Sequence, residues 1–205
     1  MTTAQVAGRL IGNANVEHKS IKDARKRDEA RALEDQFDAV VEEYSDLAYN
    51  VAIGMLHSPE DAQDAVQEAF VSAYRAFPKF KGDSKVSTWL YRIVVNACLM
   101  KIRKEKTRTK YLTETGYDEA IVYDWAGDPV RAAENSELQD AIRQGLEQLS
   151  PDLKAAVVLR DLQELTNEEA SEIIGIGVAA FKSRVHRGRT MLRKNLESYL
   201  TRRNG

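Results

Sequence analysis

Apolar residues recur at three- and four-residue spacing through Phe37, Val40, Val41, Tyr44, Leu47, Ala48, Val51 and Met55. That spacing gathers them on one stripe of an amphipathic helix and predicts a helix facing a core. Ser58-Pro59-Glu60-Asp61 then restarts the chain, because a serine oxygen can accept from an orphan amide and proline suits the first helical position. The second helix carries Ala62, Val66, Ala69, Phe70, Ala73 and Phe77 on its apolar face, and Pro78 closes it by excluding a further turn. Phe80-Lys81-Gly82-Asp83-Ser84 has the composition of a loop. A third helix is expected from about Val86 to Lys104, burying Leu90, Ile93, Val94, Ala97 and Leu99 at least partly while Arg92, Asn96 and Lys101 fall elsewhere on the wheel. Three such helices are enough to enclose one small core.

Residues 105–127 break this periodicity with threonines, Gly116, Asp118, Asp124 and Gly127 and are expected to form a linker. Asp128-Pro129 supplies another cap-plus-proline start, followed by Leu138, Ala141, Ile142, Leu146 and Leu149 at helical spacing. Ser150-Pro151-Asp152 begins a helix with Leu153, Ala156, Val157 and Arg160, and Thr166-Asn167-Glu168-Glu169 is a capping-box sequence for the next. No stretch alternates with period two long enough to build a sheet, and Ile121-Val122-Tyr123 is too short. The expected fold is therefore all-α: two small helical domains, residues 35–104 and 128–205, joined by a flexible linker at 105–127. Residues 1–34 form an N-terminal extension whose mixed charge run, Lys19 to Glu29, has little apolar material to anchor it, so disorder or a frayed helix is expected there.

Charge sharpens this division. The net charge of −2 speaks against nucleic acid only as an average. Between Lys79 and Lys110 ten lysines and arginines face only Asp83 and Glu105, and between Val178 and Arg203 eight face only Glu197. Acidic residues gather ahead of each block, at Glu60, Asp61, Asp64 and Glu68, and at Glu164, Glu168, Glu169 and Glu172. Cys98 is the single cysteine, which excludes an intrachain disulfide and fits a reducing, cytoplasmic setting. Residues 1–34 lack the apolar core of a secretory signal, and no stretch approaches the roughly 20 apolar residues that span a bilayer, so neither export nor membrane insertion is expected. His18, His57 and His186 are scattered without metal-ligand or nucleophile spacing, and there is no phosphate-cradling glycine loop. Neither an enzyme nor a cofactor or metal is expected.

The most informative segment is Thr166 to Arg189. A capped helix through Ile174, then Gly175-Ile176-Gly177, then a basic helix from Val178 is the grammar of a helix-turn-helix. Ser171 is small where the two helices cross, Gly175 can take the left-handed turn, and Phe181 and Val185 can bury against the first helix. Lys182, Ser183, Arg184, Arg187 and Arg189 are then left for a DNA groove and its phosphates.

This segment, from Leu149-Ser150-Pro151 through Lys182-Ser183-Arg184-Val185-His186-Arg187-Gly188-Arg189, resembles the C-terminal DNA-binding region of bacterial sigma factors, particularly the extracytoplasmic-function group of the sigma-70 family. Asp61 to Phe70 is similar to that family's polymerase-binding helix. Phe80-Lys81-Gly82-Asp83-Ser84, followed by Thr88 to Ile93 and Asn96, is similar to its strand-opening region. The resemblance spans roughly residues 35–200 and implies a non-enzymatic factor that steers core RNA polymerase to promoter DNA. Asp61, Asp64, Gln67, Glu68 and Phe70 would bind polymerase. Phe80, Lys81, Gly82, Asp83, Ser84, Trp89, Arg92 and Asn96 would hold the melted minus-ten element, although an isolated helical tryptophan favours the core or its edge. Lys182, Ser183, Arg184, Arg187 and Arg189 would meet the minus-thirty-five element, with Arg184 and Arg187 foremost among base readers and Lys182 and Arg189 on phosphates. The resemblance also implies an anti-sigma factor as partner. Gly177, Ala179 and Ala180 depart from the family pattern, as do Met100 and Lys101, the latter two standing where an acidic residue is frequent. The alternative is a helix-turn-helix regulator that binds duplex DNA without sigma activity.

Overall fold

The structure is a computed structural model that describes residues 3–115 and 136–203, with side chains for 25–108 and 138–197. The Asp128-Pro129 helix start and most of the expected linker lie outside the described residues. Among those described there are helices and turns and no strand. Two compact units are present, Met1–Glu43 and Tyr44–Gly205. The first unit is part of a single helix, α1, which spans Thr3–Leu56, so residues 3–34, expected to be disordered or frayed, carry helical backbone. Periodicity marks where a helix is buried, and Phe37 is the first buried residue among those whose side chains are described.

Within the second unit, α1 ends at Leu56 and the chain reverses at His57, which takes a left-handed φ of 60°. Ser58 caps α2 (Pro59–Ala76) by accepting from the Asp61 amide at 3.2 Å, with Pro59 in the first turn, as expected. The stripe that α2 buries is Ala62, Ala65, Ala69 and Ala73, all at 0% exposure; Val66, Phe70 and Phe77 flank it half-buried. Four alanines at three- and four-residue spacing let the next helix approach α2 closely. After a 3₁₀ turn at Phe77–Lys79 and an open loop, α3 runs Val86–Thr115, burying Leu90, Tyr91, Val94, Val95 and Cys98. It continues eleven residues beyond the expected end at 104, because nothing between Glu105 and Thr115 is a glycine or proline. Burial pushes the Cys98 thiol up to about 12, against weaker opposing effects of its own backbone and Lys101, so it is an inert packing group.

The second half of the unit comprises α4 (Ser136–Glu147), α5 (Pro151–Val157), a π-helical turn at Val158–Leu162, α6 (Asn167–Ile174) and α7 (Val178–Arg203). Leu146, Leu149 and Val157 form its core, with Ile142, Leu153 and Leu192 against them. Gly188 is where α7 crosses α5: a Cβ there would sit 2.6 Å from a Val157 methyl and 3.3 Å from the Leu153 carbonyl oxygen. A glycine inside a helix costs roughly 1 kcal/mol against alanine, and this close approach is its compensation.

The two halves also meet. Gly54 of α1 lies against Val158 and Leu162, and Lys154, only 7% exposed, donates from Nζ to the Met55 carbonyl at 3.2 Å. That carbonyl belongs to the last turn of α1, where the helix dipole favours a cation. Desolvation nonetheless pulls Lys154 down to about 8, with Glu147 opposing and Lys106 reinforcing the shift. His57 lies at the same junction with its Nε2 buried and unbonded; burial, then Lys154 and Arg143, lower its pKa to about 3.

Candidate nucleic-acid interface

The helix-turn-helix forms as its sequence requires. Thr166 Oγ1 accepts from the Glu169 amide at 3.2 Å while Glu169 Oε2 accepts from the Thr166 amide at 3.1 Å, a complete capping box. The Thr166 hydroxyl, which also donates to Glu169 Oε2 at 2.9 Å, and then the Thr166 amide, more than the Lys85 ammonium nearby, hold the Glu169 carboxyl below its ordinary pKa. Gly175 takes φ 77°, ψ 38°, and its amide and that of Ile176 bond the Ser171 carbonyl, ending α6 in a left-handed turn. Ser171 is buried at the crossing, and Phe181 and Val185 are buried on the inner face of α7.

Lys182, Ser183, His186 and Arg187 are left on the outer face of α7, all exposed. Arg184 is drawn toward α5, 3.9 Å from Asp152, with about a quarter of its side chain accessible. Arg189 donates from Nε to Asp161 Oδ2 at 3.0 Å in a two-pronged pair that ties α7 to the π turn. Arg160, Asn167, Lys182, Val185, His186 and Arg189 line a shallow, mostly polar depression. Arg160, Asn167 and His186 stand beside the residues that the sequence points to for DNA contact. The lining of the depression is drawn from three separate elements, the π turn, α6 and α7, and no local motif signals it.

In the first half, the Phe80–Ser84 loop stays at the surface, with Lys81, Gly82 and Asp83 exposed and Gly82 at φ 76°. Glycine adopts that conformation without the strain a side chain brings. Trp89 is half-buried, its ring centroid 5.0 Å from Phe80 and 6.2 Å from Phe77. It therefore sits at the core edge and braces the base of the loop. Asn96 and Arg92 are exposed one helical turn apart on α3, and Arg92 donates from Nη2 to the Glu172 carbonyl at 2.6 Å.

On α2, Asp64, Gln67 and Glu68 are exposed, while Asp61 and Phe70 are half-buried. Lys101 of α3 reaches across to this face, its Nζ 2.8 Å from Asp61 Oδ1 and 3.1 Å from Asp64 Oδ2. Desolvation opposes the ammonium charge, but the two carboxylates outweigh it and raise the Lys101 pKa. Among the described residues no group of three or more His, Cys, Asp or Glu side chains is placed to hold a metal, and no helix is long and apolar enough to cross a membrane.

Two family models match this chain, Sigma-70 region 2 over residues 40–108 and Sigma-70, region 4 over residues 139–192. The ECF RNA polymerase sigma factor SigW of Bacillus subtilis is 36% identical over 184 residues, covering 87% of this chain and 95% of that protein. The chain belongs to the extracytoplasmic-function sigma factors. The RNA polymerase sigma-H factor of Pseudomonas aeruginosa is 31% identical over 172 residues, covering 80% and 88% of the two chains. Among solved structures, the sigma factor RpoE from Bartonella quintana, in complex with the anti-sigma factor NepR, matches with TM-score 0.63 and 25% identity over 79% of this chain and 97% of that one. CnrH, in complex with the cytosolic domain of CnrY, shares the fold with TM-score 0.55 at 23% identity, over 79% and 88%. The two matched regions of this sigma factor are the two helical halves, and the helix-turn-helix falls in the second. A sigma factor directs promoter-specific initiation, and the reading as a helix-turn-helix regulator without sigma activity is not favoured.

Proposed function

We propose that residues 35–104 bind core RNA polymerase and capture the melted minus-ten element, that residues 128–205 read the minus-thirty-five element, and that the chain acts in the cytoplasm by binding rather than catalysis. The observation carrying this reading is the pairing, in one chain, of a surface loop braced by Phe80 and Trp89 beside basic α3 with a capped helix-turn-helix. A strand can be held only after its bases leave the duplex, and a loop beside aromatic and basic groups offers them stacking and phosphate contacts. Opening is then driven by binding free energy available only from the unpaired strand. An anti-sigma partner belongs to the same reading, supported by the fold shared with RpoE in its NepR complex.

The geometry of α7 ranks its readers. Arg187 and Ser183 face outward with Lys182 beside them, whereas Arg184 leans on Asp152 and Arg189 is held by Asp161. Arg187→Ala is expected to cost about 1–3 kcal/mol at one base pair of the upstream element. Arg184→Ala should weaken binding less, and evenly across sequences. Competition binding with single-base-pair variants of the element checks both, and a uniform loss from Arg187→Ala would move that residue to phosphate contact.

Lys101 bears on polymerase binding. Its ammonium offsets part of the charge that Asp61 and Asp64 present to a basic partner, and exposed pairs of this kind are worth about 0.2–1 kcal/mol. Lys101→Met is expected to tighten polymerase association at low salt by up to about fivefold, converting that range at roughly tenfold per 1.4 kcal/mol, and to lose the advantage at high salt. Titration of labelled sigma factor with core polymerase at two ionic strengths measures it; weaker binding at both would show that Lys101 shapes the surface instead.

A further inference from the structure

The face of α3 that the proposed function assigns to unpaired DNA already carries an occupant. Arg92 donates to the Glu172 carbonyl in the last turn of α6, and Lys85, the residue before α3, lies 3.6 Å from the Glu169 carboxylate. Between them Thr88 and Tyr91 are buried, at 6% and 5% exposure. Burial, then the charge of Glu169, raise the Tyr91 phenol to about 12. At the far side of the junction Gly54 packs on Val158 and Leu162, and Lys154 caps the end of α1. The contact therefore combines a buried seam with charge pairing, and its α6 side offers a carboxylate and a helix C-terminal carbonyl. Those are negative oxygen acceptors, the same chemistry that a strand's phosphates present to Lys85 and Arg92.

We propose that α6 is an internal ligand of the strand-capturing face: in the free chain the two halves close on each other, and single-stranded DNA must displace α6 to reach Arg92. This rests on the reading of Arg92 as a strand contact. A protein whose binding-competent state is a minor population binds more weakly by that fraction, so closure lowers affinity for unpaired DNA without altering any contact in the open form. The Phe80–Ser84 loop itself remains at the surface, so closure withholds the backbone contacts on α3 and leaves the loop accessible.

Gly54 separates closure from DNA contact, because its nearest neighbours across the junction are Val158 and Leu162 and it has no part in the strand-contact face. A Cβ there would lie 3.1 Å from a Val158 methyl and 3.4 Å from a Leu162 methyl, and Gly54→Met drives a longer side chain between the halves. Lys85→Glu, which replaces attraction to Glu169 by repulsion without adding volume to the seam, is the second variant. With a donor and acceptor dye attached at Arg75→Cys and Arg193→Cys, energy transfer in the full chain is expected to show one short-distance population for the otherwise native sequence and longer distances for both variants. Gly54→Met is also expected to bind a mixed-sequence single-stranded 30-nucleotide DNA about tenfold more tightly than the native chain. Long distances in the native chain, or separation in the variants with unchanged DNA affinity for Gly54→Met, would overturn the proposal. If Arg92→Ala retains full polymerase-dependent promoter opening, the underlying strand-contact reading fails as well; if it loses opening while Gly54→Met shows no gain in affinity, only the closure proposal fails.

Discussion

Phe181→Ala is expected to destabilise the second half of the molecule by about 3–5 kcal/mol, the range for deleting a buried aromatic ring, and to abolish its binding to the upstream element. Phe181 is the largest fully buried side chain described, on the inner face of the helix whose outer face carries Lys182, Ser183 and Arg187. Its ring sets the distance between α6 and α7, so the cavity left behind would cost packing and let the outward face tilt. Total stabilities of roughly 5–15 kcal/mol leave little margin for such a loss. Urea denaturation monitored by circular dichroism, alongside duplex binding followed by fluorescence anisotropy, measures both effects. A loss under 1 kcal/mol with duplex affinity retained would show that α7 is positioned from elsewhere, with Gly188 and Val157 the nearest alternative.

The second large effect is a loss of stability on acidification that passes through His57. Burial first, then Lys154 and Arg143, hold its folded-state pKa near 3 against an ordinary 6.5. The native chain therefore keeps the imidazole neutral over a range in which the unfolded chain takes up a proton. Well above pH 6.5 neither state is protonated and this group contributes no pH dependence. As the pH falls from 6.5 toward 3 the unfolded state binds the extra proton, and stability declines by about 1.4 kcal/mol per pH unit. His57→Asn removes the titration, although the left-handed φ of 60° has to be kept, and asparagine tolerates it better than most residues. The unfolding midpoint in urea, followed between pH 7 and pH 5, should fall steeply in the native protein and more gently in the variant. Equal slopes would place the acid sensitivity in the carboxylate pairs.

What the sequence made legible was mostly local. Ser58 with Pro59, Thr166 with Glu169 and Gly175 each act within one helical turn, and each appears where their spacing put it. Likewise, the division of α7 into a buried face with Phe181 and Val185 and a basic outer face follows from helical period alone. The extents of α1 and α3 did not follow, because apolar periodicity reports the buried part of a helix and is silent where a helix is polar all round. Long-range charge partners were also out of reach. Nothing local links Lys101 to Asp61 and Asp64, Arg189 to Asp161, or Lys154 to the end of α1, and these pairs change how the predicted site residues can act. Thus Arg184, expected beside Arg187 as a base reader, and Arg189, expected on phosphate, are partly engaged within the fold.

Promoter opening offers the most direct test of the central reading. A fluorescent base analogue placed in the minus-ten segment of a promoter, defined by the transcripts that appear when this chain is overproduced, reports unstacking as the strands separate. The signal should rise only when sigma factor and core polymerase are both present, and it should be lost when Phe80 and Lys81 are replaced by alanine while polymerase binding persists. Tight, sequence-specific duplex binding by the chain alone, with no association with polymerase and no strand separation, would contradict it.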